Sequence, residues 1–138
     1  MLKLLIPIFD RHGAAEAARH SAFLFAEHCV SEVEVVEVLG DASTDRSSAF
    51  WSPAELRERY RRSMSEALAR TCAILDDAGV PYTRRSVFGP PARSIAACVE
   101  CASADIVVVD ASRLGFLRKW GMLAQLRRLC AAPVTLLQ

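Results

Sequence analysis

Leu4-Leu5-Ile6-Pro7-Ile8-Phe9-Asp10 and Ile106-Val107-Val108-Val109-Asp110 are short, almost wholly apolar runs that each stop on an aspartate. Both are strand-length, and unbroken apolarity in place of alternation is what a parallel strand covered on both faces requires. Open α/β sheets bind their ligands outside the carboxyl ends of such strands. Asp10 and Asp110 therefore mark a candidate crevice. Two carboxylates there also disfavour a polyphosphate unless a cation lies between.

Outward from the first run, Ala15, Ala18, Ala22, Phe25, Ala26 and Cys29 recur at helical spacing from about Ala14 to His28. Val33 to Leu39 then returns to a β-branched pattern and ends at Gly40, completing a βαβ unit. Residues 40–52, rich in Asp, Ser, Thr, Ala and Gly, read as a flexible loop. Ser52-Pro53-Ala54-Glu55 is a capping box with proline at the first helical position, and Trp51 is placed to staple onto Leu56. The helix it opens buries a stripe of Leu56, Tyr60, Met64, Ala67, Leu68, Thr71 and Leu75 and stops at Gly79. Val80 to Phe88 follows as an edge strand that tolerates Pro81, and Gly89-Pro90-Pro91 turns into a helix with Ile95, Ala96, Val99 and Ala102 on one face.

After the second aspartate-terminated strand come a cation-rich loop, Ala111 to Trp120, a helix from about Gly121 to Cys130, and a terminal strand, Pro133 to Leu137. Strand and helix alternate throughout. The expected architecture is a single α/β domain over residues 1–138, an open doubly wound parallel sheet with helices on both faces.

Composition narrows the function classes. Hydrophobic residues make up 52% and charged residues 24%, and no apolar run approaches the ~20 residues of a membrane helix. Met1-Leu2-Lys3 leads straight into a strand without a signal-peptide pattern, so the expectation is a cytoplasmic protein with no membrane partner. Lys plus Arg number 17 against 16 Asp plus Glu, which leaves no global field for nucleic acid. Five scattered cysteines, an odd number, do not form a secreted disulfide framework, and most are expected to be small buried hydrophobes.

The order of elements, with Leu5-Ile6-Pro7-Ile8 at the start, Gly89-Pro90 before the third helix, Ala104 to Val109 in the fourth strand and Pro133-Val134 in the last, resembles the universal stress protein family over essentially the whole chain. That resemblance implies strand order 3-2-1-4-5, a nucleotide pocket between the first and fourth strands, a role in the stress response, and a homodimer paired through the last strand, here Val134 to Leu137. The implied pocket is lined by Pro7, Phe9, Asp10 and Val38 on one side and Val109, Asp110, Arg113, Gly121 and Met122 on the other.

Nucleotide-binding members carry an aspartate shortly after the first-strand proline and a Gly-x-x-Gly-x9-Gly-Ser/Thr segment after the fourth strand. Glycines let backbone approach phosphate, and the last pair opens a helix whose amides face the anion. Aligned through His20, this chain has Phe9 at the family's aspartate position, Asp110 at the first signature glycine and Arg113 at the second. Gly121 follows two residues earlier than the pattern requires, and Met122 replaces the hydroxyl residue. Arg113, Arg118 and Lys119 are the cations left to hold an anion, or simply to balance Asp110 in a solvated loop.

Other constellations have structural readings. Cys98-x-x-Cys101 falls well inside a helix, where the dipole does not activate a thiol. His12, His20 and His28 recur every eight residues, about 80° beyond two helical turns, so they share no metal-binding face. Arg57, Arg59, Arg61, Arg62 and Arg70 alternate with Glu55, Glu58 and Glu66 as on a solvated helix.

The leading expectation is a non-catalytic regulatory or binding module with a degenerate nucleotide pocket and no resident cofactor. The alternatives are ATP or AMP binding, with Mg²⁺ bridging Asp10 and Asp110, and metal-assisted hydrolysis by the same carboxylates.

Overall fold

A computed structural model describes residues 1–40, 52–112 and 115–137. The expected loop over about 40–52 lies outside the described residues except for its ends, as do Trp51 and Arg113. Strands and helices alternate in chain order as β1 (Leu2–Ile8), α1 (Ala15–Ala26), β2 (Val30–Leu39), α2 (Pro53–Asp77), β3 (Tyr82–Phe88), α3 (Pro91–Ala102), β4 (Ile106–Asp110), α4 (Phe116–Leu129) and β5 (Val134–Leu137). All pairings are parallel and the sheet order is β3-β2-β1-β4-β5. The fold is the expected doubly wound α/β sheet.

The central strand shows why the opening run had no polar alternation. Leu4, Leu5, Ile6 and Ile8 are all fully buried. Leu4, Ile6 and Ile8 join Val33, Val35 and Val108 under α1 and α2. Leu5 joins Val36, Val38, Val107 and Val109 under α3 and α4. Successive side chains thus feed two separate cores, as a sheet covered on both faces requires.

Helix α2 starts where the capping box places it. The Glu55 amide donates to Ser52 Oγ at 3.2 Å and the Ser52 amide donates to Glu55 Oε2 at 3.3 Å. It ends before Gly79, whose φ of +70° breaks the helix. Met64, Ala67, Leu68, Thr71 and Leu75 are buried as expected, with Leu56 and Tyr60 half-buried. Helix α1 is shorter than its periodicity suggested. It stops at Ala26, His28 turns the chain at φ +62°, and Ala26 and Cys29 are exposed instead of continuing the buried stripe.

The largest difference is in α4, which begins at Phe116, five residues before the expected start at Gly121. Gly115 occupies the N-cap position without a side-chain cap, so the run from Phe116 to Trp120 carries no start signal a sequence reader can use. Arg118 and Lys119 are accordingly helical residues, not loop cations. All five cysteines are free; Cys72 and Cys98 are buried, Cys130 is half-buried, and Cys29 and Cys101 are exposed. Burial pushes the thiols of Cys72, Cys98 and Cys130 above the ordinary value, which keeps them neutral core residues.

Candidate functional site

The crevice is made by a proline. Lys3 faces β4 through both backbone groups: its carbonyl accepts from the Asp105 amide at 2.8 Å, and its amide donates to Asp105 Oδ2 at 2.8 Å. Backbone direction alternates along a strand, so Leu5 and Pro7 face β4 as well. The β1–β4 register runs through Leu4↔Ile106 and Leu5↔Val107 and goes no further. The next residue turned toward β4 is Pro7, which has no N–H to give. On its other side β1 stays in register with β2 through Pro7↔Val36 and Ile8↔Glu37. The sheet therefore parts between the carboxyl halves of β1 and β4, at the switch point where the sequence located a pocket.

Several of the expected lining residues meet in one apolar core. Val38 and Val109 are buried in the α3–α4 core, and Phe9 and Met122 pack against that same core from partly exposed positions. Four of the expected lining residues are thus gathered in one cluster, with Pro7 buried beside them.

The two aspartates are occupied by backbone. Asp10 Oδ1 accepts the His12 amide at 2.8 Å, a local turn that starts the connection to α1. Asp110 reaches across the crevice: its Oδ2 accepts the Glu16 amide, in the first turn of α1, at 2.9 Å. Its Oδ1 accepts both the Ser112 amide at 3.2 Å and the Ser112 hydroxyl at 2.6 Å. Helix α1 has Ala14 at its N-cap and no side-chain cap of its own. A residue 94 positions away supplies the missing acceptor, and its charge meets the positive end of the helix dipole. Ala14-Ala15 ahead of a helix, with no Ser, Thr, Asp or Asn, is the signal from which a distant cap is readable.

The turn between β1 and α1 is held down at other points. Arg70 Nη2 donates to the Arg11 carbonyl at 2.7 Å, and the Ala14 amide donates to the buried Thr71 hydroxyl at 3.1 Å. Gly13, at φ +73°, passes so close to α2 that a β-carbon would lie 3.1 Å from Thr71 Oγ1 and 3.2 Å from the Ala67 carbonyl.

Gly121 does not join the site. It lies inside α4, and a β-carbon there would meet open space, so no close approach requires this glycine. The glycine that opens α4 is Gly115, only five residues beyond Asp110. Among the described residues no group of three His, Cys, Asp or Glu side chains is arranged to hold a metal ion. No described helix is long and apolar enough to cross a membrane.

Comparison with known proteins agrees with this fold. No curated protein matches the chain. Solved structures do. A universal stress protein family member from Burkholderia pseudomallei superposes with a TM-score of 0.72 at 18% identity, covering 98% of this chain and 94% of that one. The universal stress protein of Archaeoglobus fulgidus in complex with dAMP gives 0.70 at 15% identity, with 100% and 98% covered. A family member from Arabidopsis thaliana with AMP bound gives 0.62 at 14% identity, with 99% and 91% covered. At these identities the structures speak for the fold. The universal stress protein family model, however, matches residues 1–136, so that by sequence as well as by strand order this chain belongs to the universal stress protein family.

Proposed function

We propose that this chain is a non-catalytic regulatory module of its family, in which the β1–β4 crevice is closed to nucleoside triphosphates by the protein's own groups. The observation that carries this reading is Asp110. It holds a carboxylate on the first-turn amide of α1, beside the parted strands, where family members place glycine and phosphate. A phosphate about 4 Å from that carboxylate meets a repulsion of order 4 kcal/mol per unit charge at an effective dielectric of about 20. Phe9 and Met122 support it further as partly exposed apolar residues packed on the α3–α4 core, in place of the family's polar residues. With five residues between β4 and α4, the long glycine-bearing loop of the family signature has no counterpart. The residues present do not fit a triphosphate. Thermal unfolding with Mg²⁺ and ATP, each at about 1 mM, is expected to match unfolding without them; an upward shift of several degrees overturns the reading.

A second reading is favoured by the neighbours that hold a single-phosphate nucleotide, dAMP in one and AMP in another. A monophosphate needs fewer donors, and the open amides of the first turn of α4, beside Gly115, suit it better than Gly121 does. In this reading Asp10 and Asp110 are the residues that would hold a Mg²⁺, which would offset their charge toward the phosphate. A shift with AMP and Mg²⁺ but not with ATP selects it.

The module acts as a homodimer through β5. Val134 to Leu137 form an edge strand whose side chains are all half-buried. The carbonyls of Pro133 and Leu137 accept from the amides of Val107 in β4 and of Ala111 just beyond it, which turns the backbone groups of Val134 and Leu136 outward. Light scattering at micromolar concentration is expected to give a dimer, and Leu136→Pro, which removes an outward N–H, a monomer. A monomeric wild type contradicts the assignment.

A further inference from the structure

A groove lies at the edge of the sheet, two strands away from the crevice. Helix α3 packs over the centre of the sheet through Ala92, Ile95, Cys98 and Val99, and the face of edge strand β3 beside it is left open. The result is a shallow groove between β3 and α3, open to solvent along much of its length, with a volume of about 600 Å³. Val87, Ala97 and Cys98 give it an apolar lining, with Phe88 and Pro90 at its β3–α3 end. Phe88 is 72% exposed, a large apolar surface left in water at the rim.

Two cations reach into this apolar space, Arg85 from β3 and Arg93 from the first turn of α3. Arg85 is held by an ion pair. Its Nε lies 2.8 Å from Oε1 of the buried Glu34, and the guanidinium pairs with no other acid among the described residues. Glu34 is already balanced, since Lys3 Nζ lies 3.9 Å from its other oxygen. Arg93 is exposed and makes no ion pair among the described residues. An apolar trough with two guanidinium groups and no unbalanced acid complements a molecule of matching asymmetry.

We propose that the β3–α3 groove binds a small aliphatic monocarboxylate, with its chain along Val87, Ala97 and Phe88 and its carboxylate between Arg85 and Arg93. The groove is independent of the crevice, and so is its test. Calorimetry on the full chain with decanoate, and with 1-decanol as the uncharged counterpart, reads the recognition directly. Decanoate is expected to bind at least about tenfold more tightly than decanol, because the charge-assisted bonds require the anion. Arg93→Ala is expected to weaken decanoate about tenfold, and Ala97→Trp, which fills the trough from an exposed position, to abolish binding. Amide resonances of Val87, Ala97 and Cys101 should move on titration. The proposal is overturned if decanoate gives no heat at about 1 mM, if decanol binds equally well, if Arg93→Ala leaves affinity unchanged, or if the shifting resonances lie at Phe9, Val38 and Val109 instead.

Discussion

Gly13→Val is expected to lower the stability of the fold by about 3–4 kcal/mol, combining strain, a clash and two lost hydrogen bonds. At φ +73° a non-glycine residue costs about 1–2 kcal/mol, and a β-branched one is the least tolerant of that conformation. Its β-carbon would also press on the Ala67 carbonyl, which belongs to the backbone of α2 and has no rotamer by which to move away. The other neighbour, Thr71 Oγ1, accepts the Ala14 amide at 3.1 Å and donates to the Ala67 carbonyl at 2.9 Å. Displacing it breaks two buried hydrogen bonds of about 1 kcal/mol each. Thermal denaturation should fall by roughly 10–15 °C in a domain of this size. The same change moves the first turn of α1, from which Asp110 receives its Glu16 amide, so the cap across the crevice weakens with it. A loss below about 1 kcal/mol would mean that the β1–α1 turn is not clamped between α1 and α2.

Arg85→Ala is expected to cost about 2–3 kcal/mol, although Arg85 itself is largely on the surface. The cost lies in what is left behind. Glu34, 2% exposed in the middle of β2, would keep its carboxylate under α3 with only Lys3 at 3.9 Å to answer it. Breaking a buried ion pair typically costs 3–5 kcal/mol, and the figure is reduced here because Lys3 remains and Arg85 opens to solvent. Glu34→Leu should cost less than Arg85→Ala, and the double change Glu34→Leu with Arg85→Ala should recover most of the loss, since an apolar residue at that site leaves no charge to solvate. Urea midpoints of the four proteins test this. Simple additivity of the two single effects contradicts it.

The strands and their burial were legible because an unbroken apolar run of strand length has few other uses. Leu4, Leu5 and Ile6 divide between two cores as that reading requires. The capping box at Ser52 and the stop at Gly79 were legible because each is a local motif with a side-chain or backbone signature. The start of α4 was not. Gly115 caps through backbone conformation alone, while Gly121, which resembled the family's helix-opening glycine, sits mid-helix without a packing requirement. Asp110 was legible as a residue out of place and not as a cap. Its principal partner is a backbone amide in α1, and every non-proline residue carries one of those. That Phe9, Val38, Val109 and Met122 share one apolar cluster, while Asp110 is bound by backbone of α1, emerges only when the two ends of the chain meet. The β3–α3 groove had no sequence signal. Its two arginines lie on different elements, and one of them is oriented by a glutamate from a third.

Closure of the crevice to triphosphates by Asp110 is read by isothermal titration of ATP with Mg²⁺ into the wild-type chain and into Asp110→Gly, which removes the carboxylate and allows backbone approach. The wild type is expected to give no saturable heat up to about 1 mM nucleotide, and the variant at least a tenfold gain in affinity, a fraction of the repulsion removed. A micromolar dissociation constant for the wild type would contradict the account, and so would a variant that binds no better than its parent.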